Sequence, residues 1–238
     1  MSIFITGTDT NVGKTVVTAG VAAVMQGLGY NIGVYKPVQS GAVKIDGVLQ
    51  SPDLNFIASI DSNIKVKCSY KLELPAAPII AAQSEGIRIQ TEVLLSDYTK
   101  LRAKTDLVMV EGAGGLLVPL AKGMLISDLV KLMKLPLVIV ARPDLGTINH
   151  TLLTIGIAKT MGIEVRGVII NNYPVNTDDI AIKTAPALIK ELGKVEILGI
   201  LPHLPNVSVN SEELLSAVIN NINLQKMFGM KIPKLSEG

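Results

Sequence analysis

Ile3-Phe4-Ile5-Thr6-Gly7-Thr8-Asp9-Thr10-Asn11-Val12-Gly13-Lys14-Thr15 is the stretch that decides how this chain is read. The apolar run at its start has the length and composition of a buried strand, and the residues after Thr15 keep a helical rhythm. A strand, a glycine-bearing loop and a helix opening at Gly-Lys-Thr form a cradle for phosphate. Backbone N–H groups of the loop and of the helix N-terminus face the anion, and Lys14 brings a point charge toward the β- and γ-phosphates. The Thr15 hydroxyl is then placed to ligate Mg²⁺. The usual spelling, G-x-x-x-x-G-K-[ST], would put its first glycine where Thr8 stands; here the glycine comes one residue earlier, at Gly7.

Working outward, short apolar runs recur at 32–36, 107–111, 137–141, 167–170 and 197–201. Helical patterns at 14–28, 91–104, 126–134, 148–161, 180–192 and 212–227 separate or follow them. The runs carry almost no internal polar residues, as strands of a parallel sheet covered on both faces must. Such alternation implies right-handed crossovers and an α/β fold: a doubly wound, mainly parallel sheet with helices on both faces. Ligands in these sheets bind outside the carboxyl ends of the strands. The residues with chemical potential fall there: after Thr6, after Lys36, at Glu111, after Arg142 and after Ile170. Residues 42–89 break the rhythm with Pro52, Pro75 and Pro78. They read as an irregular insertion carrying short helices near 54–59 and 78–84, and no linker divides the rest, so one domain over 1–238 is expected.

Composition narrows the classes. At 238 residues, 48% hydrophobic and only 3% aromatic, the chain can bury a large core made of Val, Ile, Leu and Ala. A net charge of +2 without a basic block gives no reason to expect nucleic acid or an anionic membrane surface as partner. The single Cys68 excludes an internal disulfide and fits a reducing compartment. Residues 2–6 are too short for a signal peptide, and no apolar run reaches the roughly 18 residues of a membrane span. A cytoplasmic globular protein is the expectation.

Glu111 ends an apolar strand, and a carboxylate there needs a positive partner, which Mg²⁺ supplies or, in the alternative reading, a nearby lysine in a salt bridge. The turn Gly112-Ala113-Gly114-Gly115 lets the backbone pass close to phosphate or substrate. Asp53 lies beside Pro52 in the insertion, where an aspartate is more often a helix N-cap than a ligand. A lysine at a strand end is usually solvated, but Lys36 ends a strand expected beside the first one, so it should face the same crevice. A second cation there would stabilise charge on a transferring phosphoryl group and on an anionic acceptor. Ser40, in the turn that follows, can hydrogen-bond a bound substrate. Asn171 follows a strand, where its amide can both donate to and accept from an adenine edge, or simply form a turn. Gly146-Thr147-Ile148-Asn149 opens a helix whose free N–H groups suit a carboxylate. His150 and His203 lack any metal-ligand spacing.

Taken in order, the motifs resemble the dethiobiotin synthetases, P-loop NTPase-like enzymes that close the ureido ring of the biotin precursor with ATP and CO₂. The resemblance rests on Gly7-Thr8-Asp9-Thr10-x-Val12-Gly13-Lys14-Thr15 and on Tyr35-Lys36-Pro37-Val38 with Ser40-Gly41. It continues through Ser51-Pro52-Asp53, Val110-Glu111-Gly112-Ala113-Gly114-Gly115 and Leu145-Gly146 with Asn149-His150. Asn171-Asn172 and Gly199-x-Leu201-Pro202 complete it. It implies ATP as co-substrate and Mg²⁺ on Thr15, Asp53 and Glu111, the role as ligand displacing the cap reading of Asp53. Lys14 and Lys36 would be catalytic, and Thr10 would face the carbamate. Asn11, Val12, Gly13, Lys14, Thr15 and Val16, with Gly112, Ala113 and Gly114, would hold the phosphates. Asn11 stands where family members often carry a carboxylate, so its side chain is given no role. Asn171 and Asn172, with Pro202, His203 and Leu204 as a second wall, would form the base pocket. Lys36 and Ser40 would meet 7,8-diaminononanoate and its carbamate, formed from CO₂ or bicarbonate. Gly146, Thr147, Ile148 and Asn149 would take the substrate's carboxylate across a twofold homodimer. Replacing Lys14 or Lys36 is expected to abolish turnover while leaving the fold intact.

A rival reading from another class is a regulatory ATPase of the partitioning type. Such proteins usually carry a second lysine early in the loop, where Asp9 stands here, and use a basic face or a C-terminal amphipathic helix. In the 212–227 pattern, Asn220, Asn221 and Asn223 dilute the apolar face and basic residues are few. A cobyric acid synthetase-like ligase is the nearer alternative among enzymes. The chain leaves no room for a glutaminase domain, and Cys68 has no triad around it.

Overall fold

Residues 3–6 set the pattern for the whole molecule. Ile3 and Ile5 point into one buried cluster and Phe4 into another, so the first strand is apolar on both faces. In a computed structural model, which describes residues 2–205 and 211–232, this strand is the centre of a parallel sheet. The elements run β1 (Ile3–Gly7), α1 (Lys14–Gly27), β2 (Ile32–Ser40), the hairpin β3 (Val43–Ile45) and β4 (Val48–Gln50), and α2 (Pro52–Ile60). Next come β5 (Lys65–Leu72), α3 (Pro78–Ser84), α4 (Thr91–Arg102), β6 (Leu107–Gly115) and the hairpin β7 (Pro119–Ala121) and β8 (Met124–Leu125). The chain continues with α5 (Ile126–Met133), β9 (Leu137–Ala141), α6 (Thr147–Thr160), β10 (Val165–Tyr173), α7 (Ile180–Gly193) and β11 (Ile197–Pro202). Two helices, α8 (Ser211–Asn221) and α9 (Leu224–Phe228), close it.

The seven-stranded sheet has the order β11-β10-β9-β1-β6-β2-β5, and every neighbouring pair is parallel. Helices α1, α2, α8 and α9 contribute to the cluster on one face, and α3 to α7 to the cluster on the other. This is the doubly wound arrangement expected. The chain winds outward from β1 through β2 to β5, returns to β6, then proceeds the other way through β9, β10 and β11. The reversal leaves a crevice at the carboxyl end of β1, where ligands bind in such sheets.

Three local differences from the sequence expectations have physical causes. First, β2 runs on through Pro37. Its pairing with β6 stops at Tyr35, so the missing proline N–H faces no partner there, while β5 pairs with its other edge as far as Ser40. Second, the 42–89 segment is more ordered than expected. Besides helices at the two anticipated places it supplies β5, the edge strand of the main sheet. The strand's lysines at 65, 67 and 71 blunt that open edge. Third, the helix expected over 212–227 breaks in two. Ile222 bridges to Gly199, and the Asn223 side chain accepts from Lys226 N at 2.9 Å to start a new helix.

Candidate active site

The loop after β1 is built on two glycines. A Cβ on Gly7 would lie 2.6 Å from the Asp9 carbonyl oxygen, so the loop can turn back this tightly only with glycine there, one place earlier than the usual spelling. Gly13 caps α1 at φ 85, a left-handed conformation, and no side chain caps the helix. The first-turn N–H groups of α1 are therefore left for an anion. Lys14 is 8% exposed and lies along the loop, its Nζ donating to the Asp9 carbonyl at 3.4 Å. Burial, above all, pulls its pKa below the usual lysine value; Glu111 opposes the shift and Lys36 adds to it. An incoming phosphate would repay that cost with opposite charge.

Across the crevice, Glu111 is fully buried beside Ile5 of β1. Its Oε1 accepts from Thr15 Oγ1 at 2.9 Å and from Lys36 Nζ at 2.7 Å. Its Oε2 is buried without a hydrogen-bond partner. Lys36, 4% exposed, also pairs with Asp53 Oδ2 at 2.5 Å. Burial alone would lower the Lys36 pKa, but Glu111 and Asp53 outweigh it and hold the ammonium above its usual value. Asp53 sits in the first turn of α2, yet it is not the cap. Ser51 takes that place, its Oγ accepting from Leu54 N at 3.2 Å, so the Asp53 carboxylate is left to turn toward Lys36.

These groups face one cavity of about 840 Å³. Thr10, Asn11, Gly13, Lys14, Thr15, Lys36, Ser40, Asp53, Glu111, Ala113 and Gly114 all line it. Ser40 Oγ is buried there without a partner. Val38, Gln39 and Val118 also line it without a role in the sequence reading, and the 42–89 segment supplies the wall Pro75-Ala76-Ala77-Pro78, residues not singled out there for the site. The two framing prolines were the available signal for that wall. An orphaned carboxylate oxygen, a second carboxylate and a threonine hydroxyl at the mouth of a phosphate cradle suit a hard cation that completes its shell with phosphate and water. Among the described residues, no group of three or more His, Cys, Asp or Glu could hold a metal on its own.

The remaining predicted residues lie outside the lining of this cavity. Val12 packs into the core, Val16 packs partly against it, and Gly112 backs onto the Phe4 ring. Asn171 braces the loop from behind: its Nδ2 donates to the Val12 carbonyl at 3.0 Å. Asn172 and His203 are hydrogen-bonded to each other, and His203 N donates to the Tyr173 carbonyl at 2.8 Å. This ties the carboxyl ends of β10 and β11 together, with Pro202 in register with Tyr173 and Leu204 packed partly against the core. Gly146 caps α6 without a side-chain bond, Thr147 is buried with its Oγ1 unpartnered, and Ile148 packs partly against the core. Asn149 is exposed, and the adjoining Leu145 is 84% exposed.

Comparison with known proteins adds independent information. A family model described as "AAA domain" matches residues 1–211. The ATP-dependent dethiobiotin synthetase BioD of Bacillus velezensis is 40% identical over 229 residues, covering 96% of this chain and 97% of that protein. The protein of the same name from Thermodesulfovibrio yellowstonii is 38% identical over 237 residues, covering 95% and 98%. Among solved structures, the MinC:MinD cell division protein complex of Aquifex aeolicus superposes with a TM-score of 0.55 at 19% identity, covering 92% of this chain and 88% of that one. At that identity the likeness speaks for the P-loop fold alone. The partitioning-type rival thus shares the architecture, but Asp9, at the place where a second lysine is expected for that class, is paired with Arg142 at 3.7 Å. With relatives matching along nearly the whole length, the chain belongs to the ATP-dependent dethiobiotin synthetases.

Proposed function

We propose that this chain is an ATP-dependent cyclo-ligase that makes dethiobiotin from 7,8-diaminononanoate and CO₂ in biotin biosynthesis. The observation that carries the site assignment is the convergence of Lys14, Lys36 and the unpartnered Ser40 hydroxyl on one cavity at the end of the phosphate loop. One amine of the substrate adds to CO₂ and loses a proton, giving a carbamate. A carbamate oxygen attacks the γ-phosphorus, and the bond to the bridging oxygen of ADP breaks. The neighbouring amine then attacks the carbonyl carbon of the mixed anhydride and gives up a proton, phosphate leaves with its oxygen and takes that proton up or passes it to solvent, and the ureido ring closes. Lys14 neutralises the transferring group from the loop side, and Lys36 from the acceptor side, where it also orients the carbamate. Ser40 and Thr10 supply hydrogen bonds to that carbamate. The chain's work is positioning and charge neutralisation.

Thr15, Asp53 and Glu111 would hold Mg²⁺, which supplies charge to the β- and γ-phosphate oxygens when bound. Residues 75–78 close one side of the cavity and keep water from the activated carbamate. Asn171, Asn172 and His203 flank the base. In a twofold homodimer, the open N-terminus of α6 at Gly146, Thr147, Ile148 and Asn149 would receive the substrate carboxylate bound to the other subunit. Support for that reading is that these residues do not line their own chain's cavity and that Leu145 beside them is exposed. No helix among the described residues is long and apolar enough to cross a membrane, and we place the reaction in the cytoplasm. Oxygen-labelled bicarbonate tests the chemistry. Attack by the carbamate oxygen carries one labelled oxygen into the released phosphate and leaves one in the ureido carbonyl. Phosphate without label would contradict the mixed anhydride.

A further inference from the structure

Gln39 and Ser51 lie between the two halves of the site, and neither has a role in the mechanism above. Gln39 is 7% exposed and commits both ends of its amide. Its Nε2 donates to the Ser40 carbonyl at 2.9 Å, and its Oε1 accepts from Ser51 Oγ at 2.6 Å. Ser51 is 2% exposed, and the same hydroxyl accepts from Leu54 N as the cap of α2. A hydroxyl that donates on one side and accepts on the other has a single orientation. Asp53 follows two positions later in that turn and meets Lys36, which stands three positions before Gln39 on β2. The result is a closed ring: Lys36 to Gln39 along β2, Gln39 to Ser51 by hydrogen bond, Ser51 to Asp53 along α2, and Asp53 back to Lys36 by ion pair.

We propose that Gln39 is a positioning residue for the reaction, acting through Ser51 to fix where α2 presents the Asp53 carboxylate. The proposal rests on the reading of Asp53 as a metal ligand. Magnesium demands near-ideal octahedral geometry with short bonds, so a ligand on a helix whose start can shift binds it less well. Gln39→Met keeps the side-chain length and removes both hydrogen bonds. Ser51→Gly removes the link from the other side, and glycine is tolerated at an N-cap almost as well as serine.

The test is titration of Mn²⁺ into the chain with ADP, followed by electron paramagnetic resonance of the free ion, beside the Mg²⁺ dependence of ADP release. Gln39→Met should weaken Mn²⁺ binding on the order of 10-fold, the effect typical of lost outer-shell partners. Ser51→Gly should match it, and Ser51→Thr, which restores the hydroxyl, should recover most of the affinity. The activity loss should be reversed by raising Mg²⁺. In an Asp53→Asn background, Gln39→Met should add nothing further. Wild-type Mn²⁺ affinity in both Gln39→Met and Ser51→Gly, with Asp53→Asn weakened, would overturn the positioning role alone. Additive losses in the double variant would also overturn it. Unaltered Mn²⁺ binding in Asp53→Asn itself would remove Asp53 from the metal and the proposal with it.

Discussion

Replacing Lys36 with methionine removes the ammonium that stands 2.7 Å from Glu111 Oε1 and 2.5 Å from Asp53 Oδ2. The sequence expectation treated Lys36 as a group acting on phosphoryl charge, with no part in the fold. The structure corrects this, because Lys36 is buried and neutralises two carboxylates. Removing one partner of a buried pair commonly costs about 3–5 kcal/mol, since a charge is left stranded. The Glu111 side chain is 0% exposed but that of Asp53 is 28% exposed, so solvent relieves part of the loss. A value near the lower end, about 3 kcal/mol, follows. For a chain of this length each kcal/mol moves Tm by roughly 2–4 °C, which gives a drop of about 6–12 °C. Calorimetry of wild type and Lys36→Met in the presence of a chelator at neutral pH measures it. Adding Glu111→Gln to the variant removes the stranded charge and should recover most of the drop.

The pH dependence has a definite sign. The Lys36 pKa is raised above the usual 10.5, so its stabilisation is fully present below that value and is lost as pH rises through the folded-state pKa. The Tm gap between wild type and Lys36→Met should therefore stay constant from about pH 7 to 9 and close only at more alkaline pH. A Tm of the variant within about 1 °C of wild type at neutral pH, or no recovery in the double variant, would refute the stranded-charge reasoning.

Lys14→Ala should lower turnover on the order of 10³-fold. Because burial already lowers the Lys14 pKa, its removal should leave Tm near that of wild type, as thermal unfolding will show. Gly13→Ala places a methyl group against the Asn171 side-chain amide at φ 85 and should weaken ATP binding, measured calorimetrically. Its cost to stability combines about 1–2 kcal/mol for the left-handed backbone with about 1–3 for the displaced bond to Val12. Adding Asn171→Ala relieves the collision, so the two changes should not be additive. Subunits carrying only Lys36→Ala and subunits carrying only Asn149→Asp should each be poor alone. Mixed at random, half the dimers hold one whole site, so about a quarter of wild-type activity should return. No recovery in verified hybrids would place each substrate within one subunit.

The fold was legible because the strands that carry it are short, apolar and punctuated, and the phosphate loop lies between the first strand and the first helix. The Lys36–Asp53–Glu111 cluster was legible in part, since strand ends in such a sheet converge on one crevice. Much of what escaped notice depends on distant partners. β5 does alternate, with Val66, Cys68, Tyr70 and Leu72 between polar residues, but prolines on both sides of it made the segment look irregular. The cap of α2 was locally readable and was missed: Pro52 suits the first helical position, which places the cap at Ser51, where the backbone is extended at φ −93 and ψ 110, rather than at Asp53. Asn171 offers an amide to an adenine edge, but the bond that one of its N–H groups makes to the Val12 carbonyl, 159 positions away, had no local signal. Gln39 carries no local signature at all. Its meaning comes from Ser51, which the intervening hairpin brings back beside it.

The most direct test of the whole account is the rate of ADP release from Mg²⁺ and ATP, measured with and without 7,8-diaminononanoate and with and without bicarbonate. A ligase that acts by positioning has no acceptor for the γ-phosphoryl group until the carbamate forms. Rapid ADP release is therefore predicted only when both are present, with one dethiobiotin formed per ADP. Comparable ADP release in the absence of the diamine would contradict it and return the chain to the class of ATPases whose cycle serves binding.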